Sequence, residues 1–143
     1  MAWIIDATDL VLGRMASQVA KRALEGETVH IVNAEKAIIS GTTKDAIRKR
    51  YMHLYHVGTY RKGPFLDRMP HRLVKRAVRG MLPYQKPSGR DALKRIQAHI
   101  GTPPELAGQG AESIDAARRV PRGAIMTIGE LSTSLGAPFR EEA

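Results

Sequence analysis

Residues 3–32 read WIIDATDLVLGRMASQVAKRALEGETVHIV, and this stretch decides the fold class. It opens with the apolar run Trp3-Ile4-Ile5, which predicts a buried strand. A helix is predicted from about Gly13 to a stop at Gly26, because the apolar residues between them fall on one helical face. A second apolar run, residues 28–32, predicts another strand. The stretch therefore predicts a strand–helix–strand unit.

Strands and helices continue to alternate farther along the chain. The patterns predict a short strand at 37–40 and then a helix that is capped by Thr42 or Thr43 and runs to about Leu54. A loop at 55–69 follows, ordered by itself or by a partner. After it the patterns predict a helix at 70–82, a loop at 84–92 and a strand at 93–100. Alternation of this kind favours an α/β fold with a mostly parallel sheet.

The composition changes after residues 101–104, where acidic and small residues replace the basic ones. Residues 127–130, Thr-Ile-Gly-Glu, match a capping box and predict a short helix that ends before Gly136. We expect residues 1–102 to form an α/β core that binds RNA and residues 103–143 to form a C-terminal extension with this short helix.

The chain has 143 residues, 23 Lys and Arg, 14 Asp and Glu and a formal net charge of +9. Residues 44–99 hold 15 of the cations and only 3 acids, so this segment carries the whole excess. A basic surface of this size indicates a polyanionic partner, nucleic acid first. The chain has no cysteine, which excludes disulfides and thiolate metal sites. Together with the lack of a long apolar run, this composition fits a cytoplasmic protein.

Three motifs that are common in nucleotide-binding and hydrolytic enzymes are absent. The chain contains no P-loop, no Gly-x-Gly-x-x-Gly and no Gly-x-Ser-x-Gly elbow. Residues 40–44, Ser-Gly-Thr-Thr-Lys, could hold one phosphate at a helix N-terminus, but an ordinary helix cap explains them without a ligand. His53, His56 and His71 are surrounded by cations that would repel a divalent ion. Asp6 is interpreted as a strand-end residue that bonds the next loop. We therefore expect no catalytic residue, no metal and no cofactor.

The basic segment has the composition of an RNA-binding surface. Aromatic rings and histidines that alternate with cations can stack on unpaired bases, which is more typical of RNA than of duplex DNA. Tyr51 and Tyr55 lie four residues apart and could equally be core residues. We expect the following to contact RNA: Arg48, Lys49, Arg50, His53, His56, Tyr60, Arg61, Lys62, Arg68, His71, Arg72, Lys75, Arg76, Arg79, Tyr84, Lys86, Arg90, Lys94 and Arg95.

Three motifs together resemble the large-subunit ribosomal protein L13 family. They are Asp6-Ala7 followed by Leu12-Gly13-Arg14-Met15-Ala16-Ser17, then Val32-Asn33-Ala34-Glu35-Lys36 with Gly41, and finally Val78-Arg79-Gly80-Met81-Leu82-Pro83 with Gly89-Arg90. Their order and spacing match over residues 3–101. The direct start at the first strand is similar to the archaeal and eukaryotic branch. His99 departs from the family pattern, which often has an aromatic residue there.

The resemblance implies a three-layer α/β/α fold with a four-stranded mostly parallel sheet, a Rossmann-like layer. It implies a non-catalytic constituent of the large ribosomal subunit that binds large-subunit rRNA and supports subunit assembly and translation. Arg14, Lys36, Arg79 and Arg90 are the positions it assigns to RNA. The implied partners are this rRNA and neighbouring large-subunit proteins, with the chain a monomer within the ribosome and with no DNA or membrane partner.

Two other functions fit the sequence less well. A standalone RNA- or nucleotide-binding enzyme on a Rossmann-like fold would need an acid–base pair beside a glycine-rich loop, and the sequence shows none. A membrane-surface protein would use the 70–82 helix, but the apolar face of that helix carries no Trp or Phe and is needed for the core.

Overall fold

The computed structural model describes residues 2–118 and 122–138. Met1 and residues 119–121 and 139–143, which belong to the predicted core and extension, lie outside the described part. The strands are β1 (Ala2–Asp6), β2 (Thr28–Val32), β3 (Ile38–Gly41), β4 (Ile96–Ala98) and β5 (Ala124–Thr127), and the helices are α1 (Leu12–Leu24), α2 (Lys44–His56), α3 (Pro70–Gly80), α4 (Pro87–Lys94) and α5 (Ile128–Ser134). Single 3-10 turns lie at Ala34–Lys36 and Asp115–Ala117.

A parallel three-stranded sheet in the order β1-β2-β4 is the centre of the fold. Ile5 pairs with Ile31, and Val29 pairs with Ile96, and all four side chains are fully buried. Parallel strands that are buried on both faces have continuous apolar runs, so apolar and polar residues do not alternate clearly along them. The predicted α/β class and the strand–helix–strand unit are confirmed.

The predicted four-stranded sheet is wrong in the part of the chain that the structure describes, because β3 leaves the parallel sheet. Only five residues separate the end of β2 from Ile38, whereas a parallel crossover needs a dozen or more. Asn33, in the left-handed region at φ 55°, turns the chain away immediately after β2. β3 pairs instead with β5, antiparallel, in a second sheet of two strands. The free edge of β1 takes one parallel bridge from Glu112, whose N–H donates to the Ile4 carbonyl.

Helix α1 packs on the sheet and against α3 and α4 through its apolar face. Met15, Val19 and Ala23 are fully buried, as the periodicity predicts. Leu24 was expected on the same face but is 46% exposed. It is the last residue of α1 and does not pack on the hydrophobic core. Helix α2 begins after Thr43, whose hydroxyl accepts the Ala46 N–H, so the predicted cap is confirmed. It runs two residues past the predicted end, into the segment predicted as a loop.

Helix α4 is the largest error of the sequence prediction. Residues 84–92 were predicted to be a loop, yet Pro87 starts a helix that runs to Lys94. The predicted strand at 93–100 shortens accordingly to Ile96–Ala98. Proline suits the first turn of a helix, and Gly89 and Ala92 are buried within it. Tertiary packing therefore stabilises a helix in a segment whose composition predicts a turn.

The C-terminal residues pack into the same hydrophobic core as α1. Ile128 and Leu131 are fully buried there. Thr127 Oγ1 accepts the Glu130 N–H at 3.2 Å, and Gly136 follows the helix at φ 84°, so the predicted short helix α5 is confirmed. The Glu130 carboxylate bonds Lys44 Nζ at 3.3 Å. No helix among the described residues is long and apolar enough to cross a membrane.

Candidate nucleic-acid interface

Helix α3 separates its apolar and cationic residues onto opposite faces. Leu73, Val74 and Val78 are buried against the core. On the other face lie Arg72, Lys75, Arg76 and Arg79, which we call the α3 cationic row. At a rise of about 1.5 Å per residue the row extends over roughly 10 Å. Helical spacing in the sequence predicts this separation, with Leu73, Val74, Ala77, Val78 and Met81 as the buried stripe and the four cations opposite. The structure confirms it except at Met81, which follows the helix and is exposed.

The α3 cationic row forms one wall of an open groove of about 300 Å³. Asp67 and Leu93 complete its lining. Asp67 Oδ1 lies 3.9 Å from Arg72 Nη1, a long contact between exposed groups that contributes little. Within residues 2–118 and 122–138, this is the only ion pair that involves the row. The groove therefore concentrates positive charge and suits a polyanion.

A second groove, of about 330 Å³, adjoins the first at the N-terminal end of α3. It shares Arg72 and Lys75 and is completed by His71, Gln97, Ala98 and His99. His99 Nε2 lies 3.3 Å from His30 Nδ1, and the two rings stack. Burial, aided by the nearby Arg72 guanidinium, lowers the pKa of His71 below the usual value of histidine. Burial, aided by the neighbouring His30, lowers the pKa of His99 in the same direction.

The two depressed histidine pKa values predict that acid destabilises the fold. As pH falls below about 6.5, the unfolded chain binds protons before folded His71 and His99 do, so the free energy of unfolding decreases. Urea midpoints at pH 7.5 and 5.5 measure this decrease. The double variant His71→Gln/His99→Gln should lose part of it. An equal decrease in both proteins would show that these histidines are not responsible.

Aromatic and carbonyl contacts hold the cations at the C-terminal end of α3 and on α4. The Arg79 guanidinium lies 5.2 Å from the Tyr84 ring centroid, and Arg90 Nη2 donates to the Gln85 carbonyl at 3.4 Å. Lys86 and Lys94 are exposed. Arg95 differs from the others, because its Nη1 donates to the Ala23 carbonyl at the end of α1, which gives this half-buried side chain a structural role.

Helix α2 divides its residues between the core and the surface. Tyr51 and Tyr55 pack against the hydrophobic core. Of the two roles considered from the sequence, core packing and RNA contact, the structure therefore supports core packing. Burial raises the pKa of the Tyr51 phenol. Arg48 Nη1 lies 3.0 Å from Asp45 Oδ1, so this cation is already paired. The other four candidates on α2 are exposed and form no ion pair among the described residues: Lys49, Arg50, His53 and His56.

The segment from 57 to 66 presents exposed aromatic rings. Tyr60 is 83% exposed, and the Arg61 guanidinium lies 5.4 Å from its ring centroid. Lys62 is exposed, and the half-buried Arg68 lies over the Tyr55 ring. Phe65 is 68% exposed and was not singled out from the sequence. No sequence signal identified it, because a phenylalanine in this stretch could equally have been buried, and only the structure shows its exposure.

Arg14 and Lys36, the two positions taken from the family resemblance, lie at the carboxyl edge of the parallel sheet. Arg14 is in the first turn of α1, and Lys36 ends the 3-10 turn after β2. Both are exposed. Burial raises the pKa of nearby Asp6, but hydrogen bonds from Thr8 and Asn33 outweigh this effect and hold the pKa below its usual value. Asp6 therefore ties loops together, as predicted.

Sequence comparisons place these features in a known family. The model of the family described as ribosomal protein L13 matches residues 1–105. The chain is 43% identical over 138 residues to large ribosomal subunit protein uL13 of Methanococcoides burtonii, covering 95% of this chain and 99% of that protein. It is 43% identical over 136 residues to the protein of that name from Archaeoglobus fulgidus, covering 93% and 86%. For Thermoplasma acidophilum the identity is 37% over 133 residues, covering 93% and 97%.

These relatives are archaeal, in agreement with the branch predicted from the sequence. The motifs that carried the resemblance fall within the matched region, and the family is one of structural ribosomal proteins that are not enzymes. The chain belongs to the ribosomal protein L13 family.

Proposed function

We propose that this chain is a structural constituent of the large ribosomal subunit and binds large-subunit rRNA through its basic surface. The observation that carries the proposal is the α3 cationic row, which borders two grooves and has one long ion pair among the described residues. The chain matches two proteins named large ribosomal subunit protein over 99% and 86% of their lengths, and this similarity supports the same role.

The mechanism is neutralisation of phosphates by cations on a rigid support. The apolar face of α3 fixes the helix to the core, so Arg72, Lys75 and Arg79 project from an anchored helix. Phosphate groups of adjacent RNA helices repel one another, and cations held between them lower that repulsion. The folded chain would thereby stabilise a packed arrangement of rRNA during subunit assembly and translation.

The RNA-binding assignments extend from this row to the other predicted positions, with two differences. Arg48 is paired with the carboxylate of Asp45, and Arg95 is half-buried, so we expect smaller contributions from these two. We expect neighbouring large-subunit proteins as further partners, a monomer within the ribosome, no DNA or membrane partner, and a cytoplasmic location. The three-layer arrangement and the division at residue 102 also remain proposals.

Binding of the purified chain to a large-subunit rRNA transcript tests the proposal. With six to ten phosphates neutralised, affinity should fall by roughly three to five decades between about 50 and 200 mM salt. A small-subunit rRNA transcript of similar length is the control, and it should bind more weakly at the higher salt. Equal affinity for both transcripts, or no salt dependence, would contradict specific binding through this surface.

A further inference from the structure

The segment from 57 to 66, together with the end of α2, encloses a pocket of about 360 Å³. Its walls are largely flat or apolar groups, among them the rings of Tyr60 and Phe65 and the side chains of Val57 and Pro64. This volume is at the lower end of the range of small-ligand pockets, about 300–1,000 Å³. The two grooves along α3 differ in residue type, because five of the six residues that line each of them are charged or polar. The pocket therefore suits a flat, uncharged group better than a phosphate.

Local hydrogen bonds hold the pocket in shape. Thr59 and Gly63 exchange two backbone hydrogen bonds, at 3.2 and 3.0 Å, and the Lys62 N–H donates to Thr59 Oγ1 at 3.1 Å. Gly58 lies at φ 89°, and a Cβ atom there would overlap the Gly63 carbonyl oxygen. The segment is thus a closed turn that only glycine at 58 permits.

Two further contacts attach the turn to the folded core. Leu66 is buried in the hydrophobic core beside the turn. Arg76 Nη1 of the α3 cationic row donates to the Phe65 carbonyl at 3.4 Å. The exposed rings of Tyr60 and Phe65 are therefore presented by a braced turn, and Arg76 connects this turn with the basic row.

Positive charge surrounds the aromatic walls. Arg61 lies over the Tyr60 ring, and the adjacent Lys62 is exposed. Aromatic rings and arginine are also enriched at protein–protein interfaces, but lysine is depleted there. Aromatic rings among both kinds of cation are typical of surfaces that bind single-stranded nucleic acid. Lys62 therefore favours an RNA occupant over a protein one.

We infer that this pocket holds one unpaired nucleobase of the RNA, stacked on Phe65 while the surrounding cations contact the adjoining phosphates. The inference rests on the proposed function and adds a site of different chemistry to it. Stacking accepts any base because each base has a π-face, so shape and an accessible unpaired nucleotide select the occupant.

The variant Phe65→Ala tests the inference in the transcript-binding assay. Its affinity for the large-subunit rRNA should fall by about 5- to 150-fold, the loss expected for one stacked base. The slope of affinity against salt should not change, because an aromatic ring releases no counterions. Phe65→Tyr keeps a flat ring and should restore most of the affinity. Leu24→Ala, which shortens another exposed apolar side chain, is the matched control and should bind like the original chain.

The outcomes separate this inference from the proposed function. If the original chain does not bind the transcript, both fail. If it binds and Phe65→Ala binds equally well, only the base pocket is wrong. A photoreactive benzoylphenylalanine at position 65 in intact large subunits should cross-link to RNA. A cross-link to a ribosomal protein alone would assign the pocket to a protein partner and overturn the inference.

Discussion

Replacing both Lys75 and Arg79 by glutamine should weaken binding to the large-subunit rRNA by roughly 10- to 100-fold at physiological salt. Both side chains belong to the α3 cationic row and border the first groove. Each lost phosphate contact removes about one released counterion, so the slope of log affinity against log salt should become shallower by roughly two. The change lies on the surface of α3, so the free energy of unfolding should stay nearly constant.

A charge-matched control separates contact from net charge. Lys21→Gln/Arg118→Gln removes two exposed cations outside the 44–99 segment, and the total charge falls by the same amount. Affinity and slope should then change little. If this control weakened binding as much as the α3 variant, long-range attraction to the net charge would account for binding, and the assignment to α3 would be wrong.

Replacing Gly89 by alanine should destabilise the fold, although alanine is the better helix former. Gly89 is buried in the first turn of α4, and a Cβ atom there would overlap the Pro83 carbonyl oxygen. Alanine gains about 1 kcal/mol of helix propensity. Overpacking against backbone, which has little freedom to move, costs about 1–3 kcal/mol or more. The backbone overlap should outweigh the propensity, and urea denaturation measures the result.

Gly13→Ala is the matched control for Gly89→Ala. Gly13 lies in the first turn of α1, and nothing approaches a Cβ atom built on it. Alanine there should stabilise the chain by roughly 0.4–1 kcal/mol. Opposite signs for the two substitutions would show that α4 packs closely on residues 81–86. A gain in stability for both would show that the close approach does not exist.

Patterns with a local cause could be predicted from the sequence. The apolar runs of β1 and β2, the amphipathic face of α1, the start of α3 at residue 70 and the Thr127 cap each act within one element. Each of these predictions is confirmed. The cationic row is predictable for the same reason, because helical spacing alone places Arg72, Lys75, Arg76 and Arg79 on one face.

Features that depend on distant residues could not be predicted. β3 pairs with a strand more than eighty residues later, and no local pattern identifies that partner. Helix α4 depends on its close packing against the turn after α3, so its residues read as a loop. Arg95 was grouped with the surface cations, but its partner is a carbonyl at the end of α1. Phe65 stands out only when the turn that exposes it is known.

Sedimentation of a cell lysate tests the ribosomal role most directly. An epitope-tagged copy of the chain is expressed, the lysate is separated on a sucrose gradient at low salt and after a high-salt wash, and the fractions are blotted for the tag. We predict that the chain migrates with the large subunit and is retained through the wash, and that Lys75→Gln/Arg79→Gln is released at lower salt. Recovery of the unaltered chain at the top of the gradient even at low salt would contradict a role as a large-subunit constituent.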